Sequence, residues 1–169
     1  MSKLHGLPPS PPTQAVFVVI KQLGWDIELT PVDFKGGAHK TPEFLALNPR
    51  GQIPTLEEDG FSLGESSAIV RYLLATRETP DDFYPADPKK RAIQDVYQAF
   101  LLNNLSGAAQ PLYFNHKVGP AFFGKDPPTE ELTKELTEKL DKEVANLETY
   151  RKAYGGEYLA GDNITLADL

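Results

Sequence analysis

The twelve residues from Arg77 to Pro88 hold three prolines and four acidic side chains. Proline fixes φ and brings no backbone N–H, so a run this rich in it interrupts helix and strand alike. The pattern differs on either side. Before residue 77, short apolar strands alternate with helices; after residue 88, the periodicity is helical throughout. The chain therefore reads as an α/β domain over 1–76, a linker over 77–88 and an all-helical domain over 89–169. At 169 residues it is long enough to bury a real core.

In the first domain, Lys3 to Leu7 suits a strand. Ser10-Pro11-Pro12 opens a helix, because serine favours the N-cap and proline is tolerated in the first turn. Val16, Val19, Ile20 and Leu23 recur at i, i+3, i+4 and i+7, and Gly24 supplies the stop. Ile27 to Val32 is a second strand, parallel to the first across a right-handed crossover. Pro42 to Leu47 is a short helix. Thr55-Leu56-Glu57 and Phe61-Ser62-Leu63 form a hairpin turning at Asp59-Gly60. Ser66 to Ala75 closes the domain as a helix with Ile69, Tyr72 and Leu73 facing in. The order is βαβ-α-ββα.

In the second domain, Ile93, Val96, Tyr97, Phe100 and Leu101 mark a helix from Lys89 to about Asn104. Pro111, Gly119-Pro120 and Asp126-Pro127-Pro128 punctuate the stretch between that helix and the last one. There, Leu132, Leu136, Leu140, Val144 and Leu147 form an apolar stripe that predicts core packing, with Glu135 and Lys139 on a solvated face.

Composition excludes several classes. Lys plus Arg is 17 against 24 for Asp plus Glu, a net charge of −7, and nucleic-acid binding needs a basic surface. No apolar run approaches the ~18–20 residues of a membrane span, and Gly6 with the following prolines leaves no secretory apolar region after Met1. Cysteine is absent, which removes disulfides, thiolate metal sites and cysteine-based redox chemistry. His5, His39 and His116 lack ligand spacing, so no metal site is expected. A cytoplasmic enzyme or binding protein is the default.

The candidate site lies in Asn48-Pro49-Arg50-Gly51-Gln52-Ile53-Pro54 and Gly64-Glu65-Ser66-Ser67-Ala68. Ile53-Pro54 offers a strand end whose peptide bond can be cis. Glu65-Ser66 stands at a helix mouth, where free N–H groups and the positive dipole end collect small anions. A small acidic peptide could bond to the main chain at Ile53 and rest its carboxylate near Ser66. Ser66 is either a helix cap or that carboxylate's donor; Glu65 caps the helix or accepts from a ligand ammonium. Ser10 is an N-cap, or its hydroxyl donates to a thiolate carried by the substrate. Lowering a thiol pKa by about two units takes ~2.7 kcal/mol, and a hydrogen bond to a charged group is worth ~1.5–3 kcal/mol. One hydroxyl with a helix dipole suffices. His39 and Lys40 fall in a Gly-Gly loop, either solvated or turned to a ligand.

The stretch Ala38–Pro54 and the segment Leu63-Gly64-Glu65-Ser66-Ser67-Ala68-Ile69, with its Glu-Ser signature, resemble the soluble glutathione transferases. The N-terminal half is most similar to the serine-using phi and delta classes. Tyr84 to Leu105 resembles the theta-type helical domain, and Gly161 to Asp168 the segment that starts the family's sixth helix. The resemblance implies a thioredoxin-like first domain, an all-α second domain and usually a homodimer. It also implies a cytoplasmic detoxification enzyme that joins the sulfur of glutathione, a co-substrate, to a hydrophobic electrophile, with no cofactor. Carried over by motif, Ser10 stabilises the thiolate and His39 and Lys40 meet the glycine end. Gln52 and Ile53 hold the cysteinyl part, Pro54 is the cis proline, and Glu65 and Ser66, with neighbouring Ser67, face the γ-glutamyl end.

This chain departs from the family pattern in places. Pro9 precedes the serine where a small residue is usual, and Thr13-Gln14 replaces a pair carrying arginine. Ser67 and Ser106 stand where arginines are common, and Gly64 where a larger residue is. With fewer cations, weaker glutathione binding is expected. Thr165-x-x-Asp168 is a helix-start signal at the chain's end, which suggests a truncated or unusual member with apolar helix faces exposed or covered by a partner. The rival expectations are a glutathione-binding carrier without turnover and a structural module of the same fold.

Overall fold

The computed structural model describes residues 2–169 and divides into two compact units, 2–79 and 80–168.

The first unit holds β1 (Lys3–Gly6), α1 (Pro11–Gln22), β2 (Glu28–Pro31), α2 (Pro42–Leu47), β3 (Thr55–Glu58), β4 (Phe61–Gly64) and α3 (Ser66–Thr76). The strand order is β2-β1-β3-β4. β1 is parallel to β2, with Leu4 opposite Leu29, and antiparallel to β3, with Leu4 opposite Leu56. β3 and β4 form the expected hairpin, and Asp59 and Gly60 both have positive φ, as a two-residue turn matching the strand twist requires.

Leu4 and Leu56 meet Val16, Val19 and Ile20 of α1 and Ile69 and Leu73 of α3 in a fully buried core. The 3.6-residue period of α1 and α3 turns one stripe of each inward. Tyr72 is only half-buried, because its hydroxyl reaches Glu58 Oε2 at 2.9 Å. Glu58 also accepts from Ser2 and pairs with Arg77. Together they tie β3 to the C-terminal end of α3.

The second unit differs from the expected punctuation. Helix runs from 88 to 123 as α4 (Pro88–Phe100), α5 (Ser106–Tyr113) and α6 (Gly119–Phe123), joined by wide π-type turns at Leu101–Leu105 and Phe114–Val118. Pro111 does not end the helix. A proline inside a helix removes one bond and crowds the preceding turn, and wide turns on either side accommodate such a defect. Asn115 Nδ2 donates to the Pro111 carbonyl at 2.8 Å. Pro120 sits in the first turn of α6, where it is tolerated.

α7 (Glu130–Tyr154) begins at Thr129, whose hydroxyl accepts from the Leu132 N–H. Its apolar stripe is less buried than the periodicity predicts: Leu136 is in the core, but Val144 is 50% exposed. A helix period specifies a face, not what covers it. The unit's core gathers Phe83, Gln94, Tyr97, Phe100 and Leu166. Gln94 Nε2 donates to the Phe83 carbonyl at 3.1 Å, and Gln98 Nε2 to that of Leu166 at 3.0 Å. The Thr165/Asp168 signal forms: Asp168 Oδ2 accepts from the Thr165 N–H and hydroxyl at 2.9 and 3.0 Å.

Candidate functional site

Strand direction decides where the candidate residues lie. β1 and β2 run parallel, β3 runs against β1, and β4 against β3. The last residues of β1, β2 and β4 therefore share one end of the sheet with the first residue of β3. Ser10 follows β1, the turn Ala38–Lys40 follows β2, Ile53–Pro54 precedes β3, and Glu65, Ser66 and Ser67 follow β4. Segments far apart in sequence thus emerge at one end of one sheet.

Ser10 is half-buried, with extended backbone (φ −82°, ψ 116°). It is the N-cap of α1 by position, and its carbonyl accepts from the Gln14 N–H at 2.9 Å. Its hydroxyl makes no capping bond. Of the two roles read for this side chain, the local one is not in use.

The Ile53–Pro54 peptide bond is cis. Pro54 is buried, Ile53 half-buried and Gln52 exposed. The loop before them is built on Asn48, a buried side chain not singled out from the sequence. Its Nδ2 donates to the Gln52 carbonyl at 2.9 Å and to Thr55 Oγ1 at 3.0 Å, while its Oδ1 accepts from the Arg50 N–H at 3.1 Å. Gly51 has φ +57°, and a Cβ there would lie 2.5 Å from the His39 carbonyl oxygen. Only glycine fits that approach.

The loop that carries His39 and Lys40 is more structured than its glycines suggest. Ala38–Lys40 is a 3₁₀ turn. The His39 ring stacks on Phe34, and its Nδ1 is buried with no partner among the described residues. Burial, helped by the Lys40 charge, holds the imidazole pKa below 6.5. Lys40 Nζ donates to the carbonyls of Arg50 and Gly51 at 3.2 and 3.4 Å, so its ammonium straps this loop to the next.

At the mouth of α3, Glu65 takes φ +65°, ψ 112°, an uncommon conformation for a residue with a side chain. Its carboxylate does not cap the helix. It pairs with the Arg50 guanidinium instead. Ser66 and Ser67, both half-buried, open α3. Half-used N–H groups at a helix start, a carboxylate beside them and a hydroxyl across the sheet end suit a small molecule bearing both charges.

Comparison with known proteins shows the family to which the chain belongs. Residues 4–81 match the family model "Glutathione S-transferase, N-terminal domain", and residues 113–169 match "Glutathione S-transferase, C-terminal domain". A probable glutathione S-transferase of Oryza sativa subsp. japonica, GSTF2, is 36% identical over 168 residues, 99% of this chain and 76% of its own length. The chain belongs to the glutathione S-transferase family.

Human glutathione S-transferase theta-2 is 37% identical over 161 residues, covering 95% of this chain and 64% of the human protein. A crystal structure of human glutathione transferase theta-2 in complex with glutathione and an unknown ligand superposes with a TM-score of 0.85 at 33% identity, covering 99% of this chain and 68% of that one. The present transferase chain thus spans roughly two thirds to three quarters of these relatives' lengths. Sequence reasoning about this transferase missed Asn48, Arg50 and Phe34 as parts of the site. Asn48 and Arg50 lay inside the quoted motif, and only the fold shows what their side chains meet.

Proposed function

We propose that this chain binds glutathione at the end of the first unit's sheet and transfers its sulfur to a hydrophobic electrophile. The observation that carries the reading is the Ser10 hydroxyl, half-buried at the sheet end and not used to cap its own helix. A hydroxyl donating to a bound sulfur, beside the positive end of α1, favours the thiolate over the thiol, and the thiolate is the nucleophile. No general base is needed, because the proton leaves to solvent.

The other roles rest on the same geometry. Main-chain groups beside the cis Ile53–Pro54 bond, with Gln52, would hold the cysteinyl part of glutathione. Glu65, Ser66 and Ser67 would take the γ-glutamyl end, and His39 the glycyl carboxylate. Lys40 would act there by holding the loop as much as by its charge. Glutathione is a co-substrate in this reading and no further cofactor is invoked. A cytoplasmic homodimer is the assembly proposed.

Glutathione titration by calorimetry, followed on the same preparation by conjugation of a generic aromatic halide, tests the reading. Binding with turnover supports it. Binding without turnover makes the chain a carrier, and no heat at millimolar glutathione makes it a structural module.

A further inference from the structure

The contact between Arg50 and Glu65 has little value as a stabilising bond. Both side chains are about two-thirds exposed, 66% and 63%, and ion pairs so open to water contribute at most ~1 kcal/mol. Yet the backbone of Arg50 is held from two sides. Its N–H donates to Asn48 Oδ1 at 3.1 Å and its carbonyl accepts from Lys40 Nζ at 3.2 Å. The next residue, Gly51, is pressed against the His39 carbonyl. The result is an exposed guanidinium on a fixed base, facing a carboxylate that the positive φ of Glu65 presents at the mouth of α3.

The γ-glutamyl end of glutathione carries an ammonium and a carboxylate on one carbon. That is the complement of a carboxylate beside a guanidinium. Position 67, in the first turn of α3, carries serine and brings no cation. We infer that Arg50 reads the α-carboxylate of the ligand: the ligand ammonium takes over Glu65, and the released guanidinium closes on the ligand carboxylate with its planar fork. This rests on the glutathione reading above and adds to it a specificity-determining residue in the loop before the cis proline.

Three ligands and three proteins test it by calorimetry. Glutathione is compared with 4-aminobutyryl-cysteinylglycine, which lacks only the α-carboxylate, and with glutaryl-cysteinylglycine, which lacks only the α-ammonium. The original chain should bind the aminobutyryl peptide about fivefold or more weaker than glutathione. Arg50→Ala should bind glutathione weaker by a similar factor and discriminate less between those two, keeping only the part that Ser66 and the start of α3 supply, yet still bind the glutaryl peptide more weakly than glutathione. Arg50→Lys should restore part of the discrimination. Arg50→Ala binding glutathione as tightly as the original chain would overturn the inference. So would an equal loss for glutathione and the aminobutyryl peptide, which would mark Arg50 as a loop-shaping residue only. If the original chain gives no heat with glutathione, the glutathione reading itself fails and takes this inference with it.

Discussion

The ring of Phe34 lies flat on the imidazole of His39, with centroids 3.8 Å apart and planes 6° from parallel. The stack screens one face of the histidine from water and fixes the plane of its ring. Desolvation disfavours the charged form, and the neighbouring Lys40 adds repulsion, so the imidazole holds its proton less tightly than a free side chain. Just below pH 6.5 the unfolded chain therefore binds more protons at this residue than the folded one, and stability falls as pH falls through that window.

Phe34→Ala should move the His39 titration back up toward 6.5, read from the imidazole resonances by NMR. The loss of stability on acidification that belongs to His39 should shrink with it. A titration unmoved by the substitution would show that the stack does not set the environment of this ring.

Ser10→Ala should slow conjugation of an aromatic halide by about 10- to 100-fold, the factor for one hydrogen bond to a charged sulfur at ~1.5–3 kcal/mol. Glutathione affinity should change much less. The pH–rate profile should shift toward higher pH, since thiolate formation then relies on the helix end alone. Unchanged rates would remove Ser10 from the mechanism.

Asn48→Ala deletes three bonds that shape the loop carrying Arg50 and Gln52. Buried groups left unsatisfied cost ~1–3 kcal/mol each, so a loss of at least about 2 kcal/mol is expected in denaturant unfolding. Glutathione binding should weaken as well, because the same bonds hold the segment before Pro54. A variant as stable as the original chain would contradict the central place given to this amide.

Glu58 accepts from the Ser2 hydroxyl, from Tyr72 and from Arg77, and these bonds, the Ser2 bond foremost, hold its carboxyl below 4.5 against the opposing effect of burial. A depressed carboxylate contributes stability that is complete above pH 4.5 and disappears as pH falls through the folded value. Glu58→Gln should therefore flatten the acid side of the stability curve measured by thermal melts. Arg77→Ala, which leaves Glu58 partly buried without its cation, should cost ~1–3 kcal/mol at neutral pH. Equal acid sensitivity in Glu58→Gln and the original chain would rule out this network as the titrating element.

The division between sequence and structure runs through particular residues. The element order of the first unit was legible because its signals are local. The i, i+3, i+4 stripe of Val16, Val19 and Ile20 and the Asp59-Gly60 turn act within a few residues, as does Pro11 behind an N-cap serine. Ser10, Ile53-Pro54 and Glu65-Ser66 could be picked out because each sits at the junction of an element. Pro111 misled, because a helix tolerates proline when wide turns flank it, and their presence depends on packing. Val144 misled for a related reason, since periodicity cannot say whether a stripe meets a partner. Tertiary structure alone decided that the Ser10 hydroxyl would be left uncommitted, that His39 would lie under Phe34, and that Arg50 would face Glu65. The Arg50–Glu65 contact joins residues brought together by the antiparallel register of β3 and β4, and the other two depend on how a loop and a helix start pack, none of which side-chain chemistry along the chain spells out locally.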